Sequence, residues 1–186
     1  VSAQRVGVEG GAPLAGVVNL PLKTVDPARY GSLVHPGDSF SYDIFTQAAR
    51  AVRQPDGLAP LGELKIERLI GAGESQSAFR LVVYVNAIHS LGRLFDGYLI
   101  HSRGGFGVPL SEAPQAEIAT PAAPIRDDLD VPVLIFQTEN DLTFLNYVAA
   151  RQPDSARVRV WEVAGTAHAD TYTIAVGMTD RGNDPS

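Results

Sequence analysis

The sequence predicts an α/β fold, with a largely parallel β-sheet flanked by helices. Four short segments have the length and the apolar content of β-strands. The stretches between them either repeat apolar residues at helical spacing or are rich in glycine and proline, so strands and helices alternate. Such alternation is typical of parallel sheets, because each connection must carry the chain back to the start of the next strand.

The composition limits the partners that the protein can have. Of the 186 residues, 45% are hydrophobic, which is enough for one globular core, and we expect a single domain over residues 1–186. The formal net charge of −6 argues against binding to nucleic acid or anionic lipid. No window approaches the roughly 18 consecutive apolar residues of a membrane-spanning helix, so we expect a soluble protein without membrane partners. The absence of cysteine excludes disulfides and a cysteine nucleophile.

The first part of the chain contains few signals of regular structure. Val1 to Val8 have the composition of a short strand, and the glycine- and proline-rich stretch from Gly10 to Gly37 predicts mostly loop. Within that stretch, Asp26 and Pro27 resemble a helix N-cap and first turn, and Gly31 is placed to end the turn. A short helix is expected there.

An amphipathic helix is predicted after the last of these glycines. Ser39 or Ser41 can cap its start. Its apolar residues recur on one face, and the charged residues fall elsewhere. The apolar residues are Ile44, Phe45, Ala48, Ala49 and Val52.

A strand, a sharp turn and a second helix follow one another in the middle of the chain. Leu64 to Ile70 alternates apolar and charged residues, as a strand does, and then meets the turn residues Gly71 to Gly73. After the turn, apolar residues at helical spacing predict a buried helix face. These residues are Ala78, Leu81, Val82, Val85 and Ile88.

Three further strands complete the predicted sheet, and a proline-rich stretch separates two of them. We expect residues 105–130 to form a loop or a small cap, because several prolines there prevent a long helix. The predicted strands are Phe95 to Ile100, Val131 to Phe136 and Val158 to Val163.

The segment Gly73 to Ser77 lies where a strand is followed by a helix, the setting in which the G-x-S-x-G pattern forms a nucleophile elbow. Small residues are needed two positions on either side of the serine, because strand and helix approach closely. Ser77 here replaces the second glycine. We predict that Ser75 is a nucleophile and that the amide of Gln76, at the helix start, stabilises an oxyanion.

A serine hydroxyl needs a base to remove its proton, so an acid and a histidine should follow. Asp141 comes just after the third predicted strand, with Glu139 as the alternative acid. His168 lies in a loop of small residues after the last strand, and His101 is the second choice of histidine. Because the carboxyl ends of parallel strands open on one side of a sheet, Ser75, Asp141 and His168 can converge as a catalytic triad.

Several segments, distributed over nearly the whole chain, carry a family resemblance. They are Gly73 to Arg80 (GESQSAFR), Tyr84 to Ala87, Asp96 to Tyr98, His101 to Gly104, Trp161 to Asp170 (WEVAGTAHAD), Val1 to Gln4, His35 to Asp38 and Ser41 to Phe45. Together they resemble the poorly characterised "alpha/beta hydrolase domain" family. The resemblance implies an α/β-hydrolase-type fold, with Ser75, Asp141 and His168 as the triad, and ester hydrolysis as a class of reaction.

The resemblance also implies an N-terminally incomplete chain. Val1 to Gln4 is similar to the middle of longer family members, after their early strands and after the loop that provides a second oxyanion donor. We therefore expect the sheet to lack its first strands.

Three further residues are predicted to contact the substrate, and neither a metal nor a cofactor is expected. Glu74, Ser102 and Arg103 are the candidates for substrate binding, although an arginine in a polar loop is more often structural. We expect no metal, because His35 and His89 have no second ligand at metal-binding spacing. No cofactor is expected either, because the glycines near the serine lack the last glycine of a dinucleotide-binding fingerprint.

The sequence thus predicts a serine esterase that hydrolyses a small-molecule carboxylic ester through an acyl-enzyme on Ser75. The alternative is a catalytically inactive fragment or a small-molecule binding protein. The acyl and alcohol specificity, the compartment and the oligomeric state are left open by the sequence.

Overall fold

The computed structural model describes residues 22–57, 59–109 and 122–172. The chain divides into two compact units, one of residues 1–67 and 110–117, the other of residues 68–109 and 118–186. The predicted strand from Val1 to Val8 lies outside the described residues, as does much of the predicted cap. No helix in the described ranges is long and apolar enough to cross a membrane.

The described residues of the first unit form helices joined by turns and loops. Its helices are α1 (Leu22–Val25), α2 (Pro27–Tyr30) and α3 (Ser41–Arg53), with a 3₁₀ turn over Asp38–Phe40. The short helix α2 confirms the prediction, since the Asp26 carboxylate accepts a hydrogen bond from the Arg29 amide at 3.0 Å. Helix α3 is also confirmed, but neither predicted serine caps it. Phe40 precedes it in near-helical geometry, because the 3₁₀ turn runs directly into the helix.

The second unit contains a four-stranded, fully parallel sheet in the order β1-β2-β3-β4. This arrangement confirms the predicted α/β class. The last strand coincides with its prediction, whereas the two before it begin and end a little later in the chain. The strands are β1 (Ile70–Glu74), β2 (Gly97–His101), β3 (Val133–Thr138) and β4 (Val158–Val163).

The prediction for β1 was wrong in its position. The strand begins only at Ile70, and the glycines predicted to form a turn lie within it. A Cβ atom on Gly71 would come within 2.7 Å of the Tyr98 ring on β2. The glycines therefore serve the close packing of a strand, and the alternating charges of Leu64 to Ile70 do not mark one.

A helical segment leaves β1 and covers one face of the sheet. Its predicted apolar positions are buried, apart from the half-buried Ile88. The sheet contributes Tyr98, Ile100, Val133 and Ile135 to the buried apolar core. The segment comprises α4 (Gln76–Val83), a π-helical turn (Tyr84–Ile88) and α5 (His89–Gly92). A separate helix, α6 (Glu139–Thr143), and a 3₁₀ turn (Tyr147–Ala150) follow β3. Residues 122–130 contain no helix or strand.

The contact between β1 and α4 predicts a position that cannot carry a side chain. A Cβ atom on Gly73 would lie 2.8 Å from the Ser77 carbonyl oxygen, a backbone atom that cannot move aside. We expect Gly73→Ala to lower the free energy of unfolding by about 1–3 kcal/mol. Urea denaturation measures the change. Gly92→Ala is the matched control, because its Cβ would make only ordinary contacts; equal losses in the two variants would contradict the prediction.

Candidate active site

Ser75 lies between β1 and α4 in a strained backbone conformation. Its φ of 50° and ψ of −121° are unusual for a residue with a side chain. Three hydrogen bonds hold the turn. The Ser75 amide donates to the His101 carbonyl at 3.1 Å, and the Ser75 carbonyl accepts from the amides of Ala78 at 2.9 Å and Phe79 at 3.2 Å. The structure thus contains the sharp turn between strand and helix that the sequence predicts.

His168 contacts both of the other predicted triad residues. Its Nε2 lies 2.9 Å from Ser75 Oγ, and its Nδ1 lies 2.6 Å from Asp141 Oδ1. These distances make one continuous chain of hydrogen bonds from carboxylate through imidazole to hydroxyl. The ring is partly buried, with 24% of its side chain exposed.

Asp141 is fully buried in α6. Its second oxygen, Oδ2, accepts a hydrogen bond from the Thr138 amide at 2.7 Å. Burial alone would raise the pKa of Asp141, but the hydrogen bonds from Thr138 and His168 outweigh it and hold the pKa below its usual value. The carboxylate is therefore ionised at neutral pH, and a negative charge lies against the histidine ring.

The two alternative residues lie elsewhere. Glu139 does not contact the His168 ring; its carboxylate accepts from the Gly165 amide at 2.7 Å and ties down the loop that carries the histidine. The imidazole of His101 lies 3.8 Å from a Glu74 carboxylate oxygen, and only the His101 backbone bonds Ser75. Of the candidates, the structure joins Ser75, His168 and Asp141.

The sequence also matches a known family. The sequence model of the family described as "Alpha/beta hydrolase domain" matches residues 1–186. The chain belongs to this family. Membership confirms the resemblance and the fold class, and it indicates a hydrolase. Neither a search of curated proteins nor a search of solved structures found a match.

The predicted oxyanion donor of this hydrolase is the first residue of α4. At that position the Gln76 amide has no carbonyl one helical turn earlier to bond. The positive end of the helix dipole also lies here, directly after Ser75. This position suits the role of oxyanion donor, and that role of the Gln76 amide stays a prediction.

Ser102 and Arg103, two of the residues predicted to bind substrate, are fully buried in the hydrolase. The Arg103 guanidinium donates to the carbonyls of Gly104 at 2.9 Å and Ala123 at 2.7 Å, and it lies over the Tyr147 ring. Burial lowers the pKa of Arg103 to about 10. These contacts give the arginine a structural setting, and its contact with substrate stays a prediction.

Sequence reasoning missed Gln137, a buried residue of β3. Its side-chain oxygen accepts from the Arg103 amide at 2.9 Å, and its side-chain nitrogen donates to the Arg103 carbonyl at 2.6 Å. This two-point clamp holds the Arg103 backbone, two residues after the end of β2, against β3. The preceding residue, Ser102, interacts with the Asp141 carboxylate. A polar residue at the end of the apolar run from Val133 was the only signal in the sequence.

No metal-binding cluster lies within the described ranges, where no three His, Asp or Glu residues come together. The neighbourhood of Ser75 instead brings one carboxylate, one imidazole and one hydroxyl into a single chain. Such an arrangement can move a proton from the hydroxyl to the imidazole.

The lowered pKa of Asp141 predicts that this residue stabilises the fold at neutral pH and loses that effect in acid. The unfolded chain titrates near the ordinary value of about 3.9, and the folded protein titrates below it. The contribution is complete above the unfolded value and disappears as the pH falls through the folded one. We expect the difference in unfolding free energy between the intact chain and Asp141→Asn to shrink between about pH 7 and about pH 3. Urea denaturation measures it, and a difference that grows towards acid would contradict the assignment.

Proposed function

We propose that the protein is a serine hydrolase that cleaves carboxylic esters through an acyl-enzyme on Ser75. The observation that carries this proposal is the unbroken hydrogen-bonded chain from Ser75 through His168 to the buried Asp141, with distances of 2.9 and 2.6 Å. A packing or capping role for Ser75 would need neither a strained φ nor an imidazole on its hydroxyl.

The geometry supports a two-step reaction. In the first step Ser75 Oγ attacks the acyl carbon while His168 Nε2 takes the hydroxyl proton, and the Gln76 amide donates to the carbonyl oxygen as it becomes negative. The bond from the acyl carbon to the alcohol oxygen then breaks, and His168 returns the proton to the departing alcohol. In the second step water gives a proton to His168 and attacks the acyl carbon. The bond from that carbon to Ser75 Oγ then breaks, His168 returns the proton to Ser75 Oγ, and the carboxylic acid is released.

Asp141 has two tasks in this mechanism. Its contact with Nδ1 keeps the proton on that nitrogen, so that Nε2 is free to accept from Ser75. Its negative charge, retained at neutral pH because its pKa is lowered, stabilises the imidazolium that forms during each step.

A fluorophosphonate probe tests the proposal without knowledge of the substrate. We expect an adduct on Ser75, located by mass spectrometry of the digested protein, because only an activated serine reacts rapidly with such probes. Ser75→Ala should remove the adduct and any hydrolysis of nitrophenyl esters. Ser90→Ala, an exposed serine on α5, is the control and should label normally. Folded protein without an adduct would contradict the proposal and favour a binding role.

Gln137 is proposed as a positioning residue for the catalytic groups, and a second glutamine of the same chain serves as the control. Gln152 makes the same two-point clamp on a different backbone segment, bonding the Ile125 amide at 2.6 Å and the Ile125 carbonyl at 3.0 Å. Loss of either clamp should lower the free energy of unfolding by about 1–3 kcal/mol, because backbone groups are left without partners.

We expect Gln137→Ala to slow the labelling of Ser75 by roughly tenfold or more, since a small displacement of the catalytic groups is costly. Gln152→Ala should destabilise the fold without slowing the labelling. The rate of probe uptake, measured on protein shown to be folded by circular dichroism, separates the two. Equal labelling rates in both variants would show that Gln137 is only structural.

A further inference from the structure

A cavity of about 430 Å³ lies at the carboxyl ends of β1 and β2, on one face of the sheet. Partners in parallel strands point to the same face, and here Ala72 pairs with Leu99 and Glu74 with His101. The cavity is lined by Ala72, Gly73, Glu74, Ser77, Leu99 and His101. The polar end of the cavity is linked to the proposed nucleophile through the backbone, because Glu74 directly precedes Ser75 and the His101 carbonyl accepts from the Ser75 amide.

The polar end of the cavity consists of Glu74 and His101, whose side chains make no hydrogen bond with each other. The Glu74 carboxylate and the His101 Nδ1 are 3.8 Å apart, which is too far for a hydrogen bond. Both side chains are accessible, with 57% of Glu74 and 33% of His101 exposed. Within the described ranges neither has a closer polar side-chain partner. A third group with hydrogens to donate can therefore fit between them.

The charge of the cavity determines which chemical group can bind between Glu74 and His101. Among the described residues that line it are one carboxylate and neither lysine nor arginine. A ring nitrogen of His101 and the Ser77 hydroxyl can act as two more acceptors. An aliphatic ammonium group supplies three donors and the opposite charge, and the apolar side chains of Ala72 and Leu99 suit the methylene groups that carry it.

We propose that this cavity is a substrate subsite for an aliphatic ammonium group, so that the hydrolase prefers esters with such a group to neutral esters of the same shape. The inference rests on the proposed esterase function, because it assigns the subsite to the ester attacked by Ser75. The His101 ring, held edge-on against Phe136 with centroids 5.1 Å apart, keeps the second acceptor in place.

Two matched pairs of esters test the preference on the full chain. One pair carries the ammonium group on the acyl side, as 4-nitrophenyl esters of aminohexanoic and heptanoic acid. The other carries it on the alcohol side, as aminohexyl and heptyl butyrate. Within each pair an ammonium group replaces a methyl group at the end of the same chain. At about pH 8, where histidine is ordinarily neutral and an aliphatic amine charged, we expect kcat/KM to favour the cationic ester about tenfold in at least one pair.

The variants identify the group responsible. Glu74→Gln should bring the ratio of the two kcat/KM values close to one, whatever happens to the absolute rates, and Glu74→Asp should retain part of the preference. Glu162→Gln removes the same charge from β4, where the side chain pairs with Arg151, and should leave the ratio unchanged. A ratio near one in the intact chain, or a preference that survives Glu74→Gln, would overturn the subsite.

A binding measurement separates this inference from the proposed function. Hexylammonium, titrated onto the full chain and observed by broadening of its NMR lines, needs no turnover. Broadening that disappears in Glu74→Gln supports the cation site, and no broadening overturns it. If Ser75 forms the adduct but both members of each pair are hydrolysed equally, the result would support the esterase proposal and contradict only the subsite. Absence of both adduct and hydrolysis would instead remove the esterase and, with it, the assignment of the cavity to an ester.

Discussion

The close approach of β1 and α4 at Gly73 is the constraint on which the rest of the site depends. The strand must stop and the helix must start within one residue, and that residue is Ser75, with its φ of 50°. Absence of a side chain at Gly73 permits the approach, and the His101 carbonyl on the neighbouring strand holds the Ser75 amide in place. The serine hydroxyl, the start of α4 and the adjoining cavity all follow from this single turn.

Burial of a carboxylate is the second costly feature of the site. An isolated negative charge would be expelled from the interior or would take up a proton. Asp141 keeps its charge because Thr138 and His168 each donate a hydrogen bond to it. The same donors fix the carboxylate in one orientation, so the interaction that makes the charge tolerable also aligns the imidazole with the serine.

The class of the fold and the three residues of the hydrogen-bonded chain could be predicted because both leave local signals. Apolar runs indicate strands, and the small residues around Ser75 indicate a tight turn. The start of β1 was placed wrongly, because charge alternation before Ile70 resembles a strand while glycines within a strand resemble a turn. Asp141 and Glu139 could not be separated, since only the three-dimensional path of α6 determines which carboxylate reaches the histidine. The clamp of Gln137 on Arg103 joins segments 34 positions apart and has no spacing that a sequence can display.

The parallel sheet has a consequence for how the protein folds. Ser75, Asp141 and His168 follow β1, β3 and β4, and the strands pair only after long stretches of chain have been closed into loops. Such non-local pairing is slow compared with helix formation. Helix α4 can form early from its own residues, but the histidine meets the serine only when the last strand has docked in register. Partly folded chains therefore lack the contact between His168 and Ser75, and under the proposed mechanism the serine becomes reactive only when folding is complete.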